Sequence, residues 1–240
     1  MRESRRPLAP AGSNSSDSRQ QLKFDVEAAV DTFGDAIAAQ AEGCSRIELC
    51  GPLHDGGTTP SAGLIERCCA RLTLSIHVLV RPRHGDFVYN GDEIAIMMKD
   101  IAISKELGAE GIVTGALSLT GSIDSTAMEK LISAARPMRV GFHRAFDSLT
   151  DQRDGLEQLI SLGVDHVLTS GGQRTAADGA SNLASLVKQA GDRITILAGG
   201  SIAPDNVIDL VERTGVRIVH GRAFRGMLHG VSDRTTGASH

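Results

Sequence analysis

Short apolar runs alternate with amphipathic segments along the 240-residue chain. The apolar runs are rich in β-branched residues and predict strands near residues 22–28, 46–50, 74–80, 111–114, 138–142, 165–169, 194–198 and 217–220. The segments between them have helical periodicity near residues 31–42, 61–71, 91–107, 124–135, 150–162, 180–190 and 204–213. This alternation, with a repeat of about 28 residues, predicts an α/β fold, a single (β/α)8 TIM barrel with parallel strands.

Glycines at the predicted helix ends agree with this architecture. Gly43, Gly108, Gly163 and Gly215 each follow a predicted helix, where a left-handed residue commonly ends it. A doubly wound open sheet is the alternative fold. Its first turn would carry the GxGxxG pattern, which the segment Ala28–Gly34 does not match. The closed barrel is therefore favoured.

The barrel is expected to span residues 21–228, between two tails. Residues 1–20 are rich in Arg, Ser and Pro and have no apolar stretch, which predicts a disordered tail and excludes a secretory signal. Residues 229–240 are expected to form a flexible C-terminal tail. Because 20 residues follow His220, the eighth helix is predicted to be short or missing.

Composition and charge exclude several classes of function. A hydrophobic content of 41% supports a buried core, and a net charge of -4 with 3% aromatic residues argues against nucleic-acid binding. No apolar run reaches the length of a membrane span. The four cysteines show no CxxC spacing, so we expect a reducing, cytoplasmic location.

Polar residues concentrate where the predicted strands end, which in a barrel is the functional face. His143, Arg144 and Asp147 follow the fifth strand, and Glu48 and Cys50 end the second. His143 and Glu48 are candidate acid–base groups, with Asp147 beside them. Alternation along the second strand predicts that Glu48 faces the barrel interior. Such a carboxylate either serves a ligand or forms a structural ion pair with a nearby arginine.

Arginines and glycines after other strands predict an anion site. Arg81 and Arg83 flank the rigid Pro82, and together with Arg144 they suit a carboxylate or a phosphate. Two glycine loops and a further cation follow strands six to eight, where backbone N–H groups can approach an anion. These residues are Ser170, Gly171, Gly172, Gly199, Gly200 and Arg222. The alternative interpretation is that they form plain surface turns.

A metal site in the barrel mouth is a further interpretation. Cys50, His77, His143 and His220 all lie on predicted strands or directly after them, and thiolate with imidazole suits Cu(I) or Zn(II). No HxH, HExxH or CxxC spacing supports it. His77, deeper in its strand, is expected to be structural.

Five motifs together resemble the CutC family, which is named for copper homeostasis. The motifs are Arg46–Cys50, Gly56–Pro60, Val80–Arg83 with Gly85–Phe87, Phe142–Asp147 and Val167–Gly171. The resemblance runs from about Phe24 to Phe224. It implies a (β/α)8 fold, a cytoplasmic and oligomeric protein, and a role in handling copper, with Cu(I) as the implied cofactor.

The chain departs from the family pattern at two places. Where family members often carry a cysteine at the end of the first strand, this chain has Ala29, while Cys50 is kept. The two-cysteine Cu(I) site proposed for the family therefore cannot form within one chain. Cys50 remains as a candidate copper ligand, and His220 or a second subunit would complete the site. The usual His-x-Ser after strand eight reads His220-Gly-Arg222, and the family's final helix is not evident. A partner subunit is expected to cover the open seam.

Three functional hypotheses follow. By resemblance, the chain is a cytoplasmic protein of copper homeostasis that binds copper. From its residues, it is a barrel enzyme or binding protein for a small anionic, phosphorylated or carboxylated metabolite. The third hypothesis is a non-catalytic homo-oligomeric scaffold whose buried charges hold the barrel together.

Overall fold

The computed structural model describes residues 24–222 and 225–228, and both predicted tails lie outside these ranges. Within them, eight parallel strands pair in chain order and close into a barrel between β8 and β1. The predicted (β/α)8 barrel is confirmed.

The strands and helices alternate as the hydrophobic pattern predicts. The strands are Asp25–Val30 (β1), Arg46–Leu49 (β2), Ser75–Leu79 (β3), Gly111–Thr114 (β4), Arg139–Phe142 (β5), His166–Thr169 (β6), Thr195–Gly199 (β7) and Ile218–Gly221 (β8). The α-helices are Phe33–Ala41 (α1), Ala62–Arg71 (α2), Gly91–Glu106 (α3), Ser125–Ala135 (α4), Gln152–Ser161 (α5), Ala180–Ala190 (α6) and Val207–Thr214 (α7). Short 3-10 turns, Leu53–Asp55 and Arg144–Ser148, follow β2 and β5.

Strand alternation separates two buried layers. Ile47 and Leu49 belong to the hydrophobic core between the strands and the helices. Leu79, Val113 and Leu168 are buried but lie outside that core, which places them inside the barrel. Because successive residues of a strand point to opposite faces, Arg46, Glu48 and Cys50 face the barrel interior. This orientation is the one predicted for Glu48.

Local sequence signals set the helix ends. The side chain of Asn90 accepts hydrogen bonds from the first turn of α3, and the Glu93 side chain accepts one from the Asn90 N–H, which completes a capping box. Gly215 ends α7 with a φ of 72°, which favours glycine. The predicted start of the last helix near residue 204 is wrong by three residues. Asn206 instead closes a turn by accepting from the Ala203 N–H and donating to the Ser201 carbonyl oxygen.

The chain after β8 packs against α1 and forms no helix within the described residues. Met227 is fully buried, and the Gly226 N–H donates to the Glu42 carboxylate at 3.0 Å. The segment 225–228 therefore covers part of the seam where an eighth helix would lie. No helix among residues 24–222 and 225–228 combines the length and the apolar character needed to cross a membrane.

Candidate functional site at the barrel mouth

A cavity of about 400 Å³ opens at the C-terminal ends of the strands. We call it the mouth cavity. Eight of the sequence-predicted site residues line it, namely Glu48, Cys50, Arg81, His143, Arg144, Gly200, His220 and Arg222. Six others do not, namely Arg83, Asp147, Ser170, Gly171, Gly172 and Gly199. The mouth is the expected position for a barrel's site.

At the floor of the mouth cavity, an imidazole lies between two buried carboxylates. His220 Nδ1 lies 2.7 Å from Glu27 Oε1, and His220 Nε2 lies 3.5 Å from Glu48 Oε2. Glu27 also accepts a hydrogen bond from Arg46 Nε. From the sequence, pairing with a nearby arginine is one of the two predicted roles of Glu48, whereas the structure pairs Glu48 with His220 from β8. Barrel closure places β8 beside β1 and so brings His220 to this floor.

These contacts move the pKa values of the three groups in different directions. Burial raises the pKa of Glu27, but the hydrogen bond from His220 and the charge of Arg46 outweigh it and leave the pKa well below its usual range. Burial and the nearby Glu27 charge raise the pKa of Glu48 to about 7, against the opposing charge of His220. Burial lowers the pKa of His220, but the hydrogen bond to Glu27 and the two carboxylate charges raise it overall. Near neutral pH, Glu27 is therefore ionised, while Glu48 can take up or release a proton.

His143 is a neutral hydrogen-bonding group. Its Nδ1 accepts from the Ala145 N–H at 3.2 Å, so the ring proton is assigned to Nε2. That Nε2 is buried without a hydrogen-bond partner in the described structure. Burial, with the positive charge of Arg81, lowers the pKa of His143 to about 3. The residue can donate a hydrogen bond to a ligand but holds no second proton near neutral pH.

Arg81 and Arg83 hold the loop after β3 in different ways. Arg81 donates to the carbonyl oxygens of Gly56, Gly57 and Gly85, which leaves Nε as its unpaired buried nitrogen. Arg83 lies outside the cavity, and its donors face Asp86, Glu93 and nearby carbonyl groups. The paired arginines of the sequence therefore do not form a joint clamp.

The loop after β6 already encloses a carboxylate of the protein itself. Asp147 accepts hydrogen bonds from the backbone N–H groups of Ser170 and Gly172 and from the Thr169 hydroxyl. Arg144 Nε also donates to Asp147, at 2.8 Å. The amide groups that sequence analysis assigned to an external anion are satisfied internally. Asp147 thus organises the loop from outside the mouth cavity.

The loops after β7 and β8 remain open to the mouth cavity. Gly200, Ser201 and Gly221 line it beside Arg222. Arg222 donates through Nη1 to the Leu53 carbonyl oxygen, and its Nη2 makes no hydrogen bond to the described residues. Ser201 has a φ of 56°, a conformation that is uncommon for residues other than glycine and often marks a functional site. This half of the mouth matches the usual phosphate position of barrels.

Cys50 lines the mouth cavity as a buried thiol. Its Sγ lies 3.7 Å from the Glu48 carbonyl oxygen. Burial and the charges of Glu48 and Glu27 raise its pKa well above 9.0, so the thiol is protonated near neutral pH. Ala29 also lines the cavity and supplies no second sulfur.

The sequence does not single out His166 as a site residue, and it predicts a structural role for His77. The two rings lie with centroids 5.2 Å apart inside the barrel, beside Glu27. The available signal was strand alternation, which points both residues inward. A single histidine in a short strand gives no hint of a second one 89 positions away.

The fold and site define a TIM-barrel protein with acid–base and cationic groups at its mouth. The sequence model of the CutC family matches residues 24–225. The chain belongs to the CutC family, whose name is that of a copper homeostasis protein.

Named relatives support the assignment. A CutC family protein from Histophilus somni is 46% identical over 204 residues, covering 84% of both chains. One from Xanthomonas campestris pv. campestris is 44% identical over 198 residues, covering 82% of both. A solved structure of CutC from Streptococcus agalactiae, named for copper homeostasis, has a TM-score of 0.80 and 33% identity, and the match covers 84% of this chain and 99% of that one. The predicted resemblance is confirmed.

Proposed function

We propose that the mouth cavity binds a small anionic metabolite and that Glu48 exchanges a proton with it. The observation that carries the proposal is the His220 ring, held between Glu27 and Glu48 at the floor of the cavity. Acid–base catalysis is most effective when the pKa of the group is near the working pH, and that of Glu48 is about 7. His220 orients this carboxylate and stabilises its ionised form.

Cationic groups at the rim supply the anion site. Arg144 and Arg222 each keep at least one terminal guanidinium nitrogen without a hydrogen bond to the described residues, and both line the cavity. Arg81 adds positive charge, although most of its donors hold the loop. A phosphate or carboxylate between these side chains and the Gly200–Ser201 loop would lie above Glu48, with the His143 Nε2–H as a further donor.

A metabolite screen by thermal shift tests the proposal. Phosphorylated and carboxylated metabolites are screened against the wild type, Arg222→Gln and Arg144→Ala, with Arg217→Gln as the control at the opposite end of β8. A ligand that stabilises the wild type and Arg217→Gln, but neither mouth variant, is the expected result. The proposal fails if ligands stabilise all four proteins equally. If Arg144→Ala unfolds the apo protein, the scaffold hypothesis gains support.

A second candidate is a Cu(I) ion held by Cys50 and His220. Both residues line the mouth cavity, in a chain of a family named for copper homeostasis. The bound ion would have to displace the thiol proton that burial and the carboxylates retain. Anaerobic Cu(I) competition titrations of wild type, Cys50→Ser and the control Cys69→Ser test it. We expect tight, stoichiometric Cu(I) binding by the wild type and Cys69→Ser and its loss in Cys50→Ser. If Cys50→Ser binds Cu(I) as the wild type does, Cys50 is not a ligand.

Assembly and location complete the proposal. We infer a homo-oligomer in which a partner covers the rest of the seam between α7 and α1. A monomer mass by light scattering would contradict this. The four free cysteines support a reducing, cytoplasmic location.

A further inference from the structure

A second cluster of ligand-type side chains lies inside the barrel, away from the rim of the mouth cavity. Glu27, His77 and His166 each offer one ligand atom, and these atoms lie within 4.8 Å of one another. Their exposed fractions are 1%, 1% and 3%. Such burial of polar groups is costly unless they have partners.

The imidazoles of this cluster have unused nitrogens. Neither His77 Nδ1 nor His77 Nε2 has a hydrogen-bond partner in the described structure, and the same holds for His166 Nε2. Most buried polar atoms in proteins are hydrogen-bonded, so three unpaired ring nitrogens in one place require an explanation. A bound ion would satisfy one ring nitrogen of each histidine, since each residue offers one ligand atom.

Two glycines make room for the rings. A Cβ atom on Gly111 would lie 2.7 Å from the His77 ring, and one on Gly141 would lie 2.2 Å from His166 Nε2. The neighbouring strands β4 and β5 therefore carry no side chain where the imidazoles lie. The space is fitted to the two rings, which a barrel interior filled with aliphatic side chains would not provide.

We propose that Glu27, His77 and His166 form a binding site for a divalent first-row transition ion of the Zn²⁺ or Cu²⁺ type. Two imidazoles and one carboxylate are ligands that such ions prefer, whereas Mg²⁺ and Ca²⁺ prefer oxygen ligands alone. Ligand atoms within 4.8 Å of one another need to move inward by no more than about 1 Å to reach metal–nitrogen distances near 2.0–2.1 Å.

The protonation states suit a cation. Burial and the charge of Arg46 lower the pKa of His77 to about 4, and the same two causes lower that of His166 to about 3. Both rings are therefore neutral near pH 7 and can donate lone pairs without first losing a proton. Glu27 is ionised under the same conditions.

The positive charge of Arg46 would compete with a metal ion for Glu27. Its Nε donates to Glu27, while its Nη2 is buried without a partner. The side chain is 14% exposed and starts from the first residue of β2, at the N-terminal end of the barrel. A metal ion would enter from this end, release Arg46 from Glu27 and leave the contact of Glu27 with His220 in place.

The test is metal binding by the full-length metal-free chain. Zn²⁺ and Cu²⁺ affinities are measured by competition with a chromophoric chelator, and Co²⁺ serves as a spectroscopic probe of the ligand set. One equivalent is expected for the wild type and for the control His84→Asn, whose histidine is exposed. Loss of even an outer hydrogen-bond partner of a ligand costs about 10- to 100-fold in affinity. We therefore expect at least about 100-fold weaker binding in His77→Asn and His166→Asn.

Arg46→Gln keeps a donor for Glu27 but removes the competing charge. It should bind the ion at least about tenfold more tightly, a gain that misfolding cannot produce. Folded histidine variants with wild-type affinity, no gain in Arg46→Gln, or no binding by the wild type would each overturn the proposal. Arg222→Gln and Cys50→Ser, which alter the mouth cavity, should retain the affinity, so this test is independent of the proposed function.

Discussion

The Nδ1 atom of His220 lies 2.7 Å from Oε1 of Glu27, across the strand pair that closes the barrel. The contact joins residues 193 positions apart in the chain. It fixes the imidazole so that Nε2 faces Glu48. The strand pairing that closes the barrel therefore also assembles the acid–base group.

Glu27→Gln is expected to lower the pKa of His220. The hydrogen bond to Glu27 and its negative charge are among the causes that raise this pKa, and an amide keeps the shape but not the charge. The pKa is measured by NMR titration, with the His220 signal assigned by comparison with His220→Asn. Glu66→Gln, on the exposed side of α2, is the control. An unchanged His220 titration in Glu27→Gln would show that the contact does not control protonation.

Asp147→Asn is expected to destabilise the protein by about 2–4 kcal/mol. The carboxylate accepts from backbone and hydroxyl donors of Thr169, Ser170 and Gly172, and hydrogen bonds to a charged acceptor are stronger than neutral ones. The asparagine side chain has only one acceptor oxygen, and its NH2 group would face some of these donors. The free energy of unfolding is measured by urea denaturation.

The control for this variant is Asp209→Asn on α7. Asp209 is exposed and pairs with Arg213 one helical turn away, so its loss should cost no more than about 0.5 kcal/mol. Equal costs for the two variants would show that Asp147 does not hold the β6 loop.

Stability is expected to fall as the pH is lowered from about 6.5. Burial keeps His77, His143 and His166 neutral in the folded state down to pH values of about 4, 3 and 3. In the unfolded chain they take up protons near pH 6.5. The unfolded state therefore binds more protons in this window, and acid favours it by several kcal/mol.

Glu48 opposes this trend. Its folded pKa of about 7 lies above the unfolded value of 4.5, so its contribution is present below pH 4.5 and is lost as the pH rises through 7. Because three histidines act against one carboxylate, the free energy of unfolding still falls overall as the pH is lowered. Urea denaturation at pH 7, 6, 5 and 4 measures it, and His143→Gln should reduce the slope by about one proton. Stability that is constant or rises on acidification would contradict the assignment of neutral buried histidines.

Sequence periodicity predicted the fold and the inward face of β2, because both depend on local alternation. Glu48 and Cys50 line the cavity as the pattern of β2 required. The partner of Glu48 was not predictable, since His220 reaches it through strand register and barrel closure. Charge complementarity alone favoured arginines, whose donors are largely committed to loop carbonyl groups and local carboxylates.

The β6 loop shows a second limit of sequence analysis. Ser170, Gly171 and Gly172 have the composition of an anion-binding loop, and the structure uses the Ser170 and Gly172 amides to bind Asp147. The same sequence suits an external phosphate and an internal carboxylate, because both present oxygen acceptors to N–H groups. Three-dimensional placement decides between them.

Gly141→Ala tests whether the His166 ring limits the space inside the barrel. The added Cβ would lie 2.2 Å from His166 Nε2, and the ring is confined by His77 at a centroid distance of 5.2 Å. Overpacking of this kind costs about 1–3 kcal/mol. Gly63→Ala is the control, because a Cβ at that helical position meets nothing within 4 Å, and it should stabilise the protein by about 1 kcal/mol.

A double-mutant cycle identifies the obstacle. In a His166→Ala background, the methyl group of Gly141→Ala enters space that the ring has vacated, so its cost should fall to near zero or become a gain. We expect a coupling free energy of at least about 1 kcal/mol between the two positions, measured by urea denaturation of the four proteins. If Gly141→Ala costs the same in both backgrounds, the strain arises from the backbone of β5 and not from the imidazole. The glycine would then have no part in admitting His166 to the barrel interior.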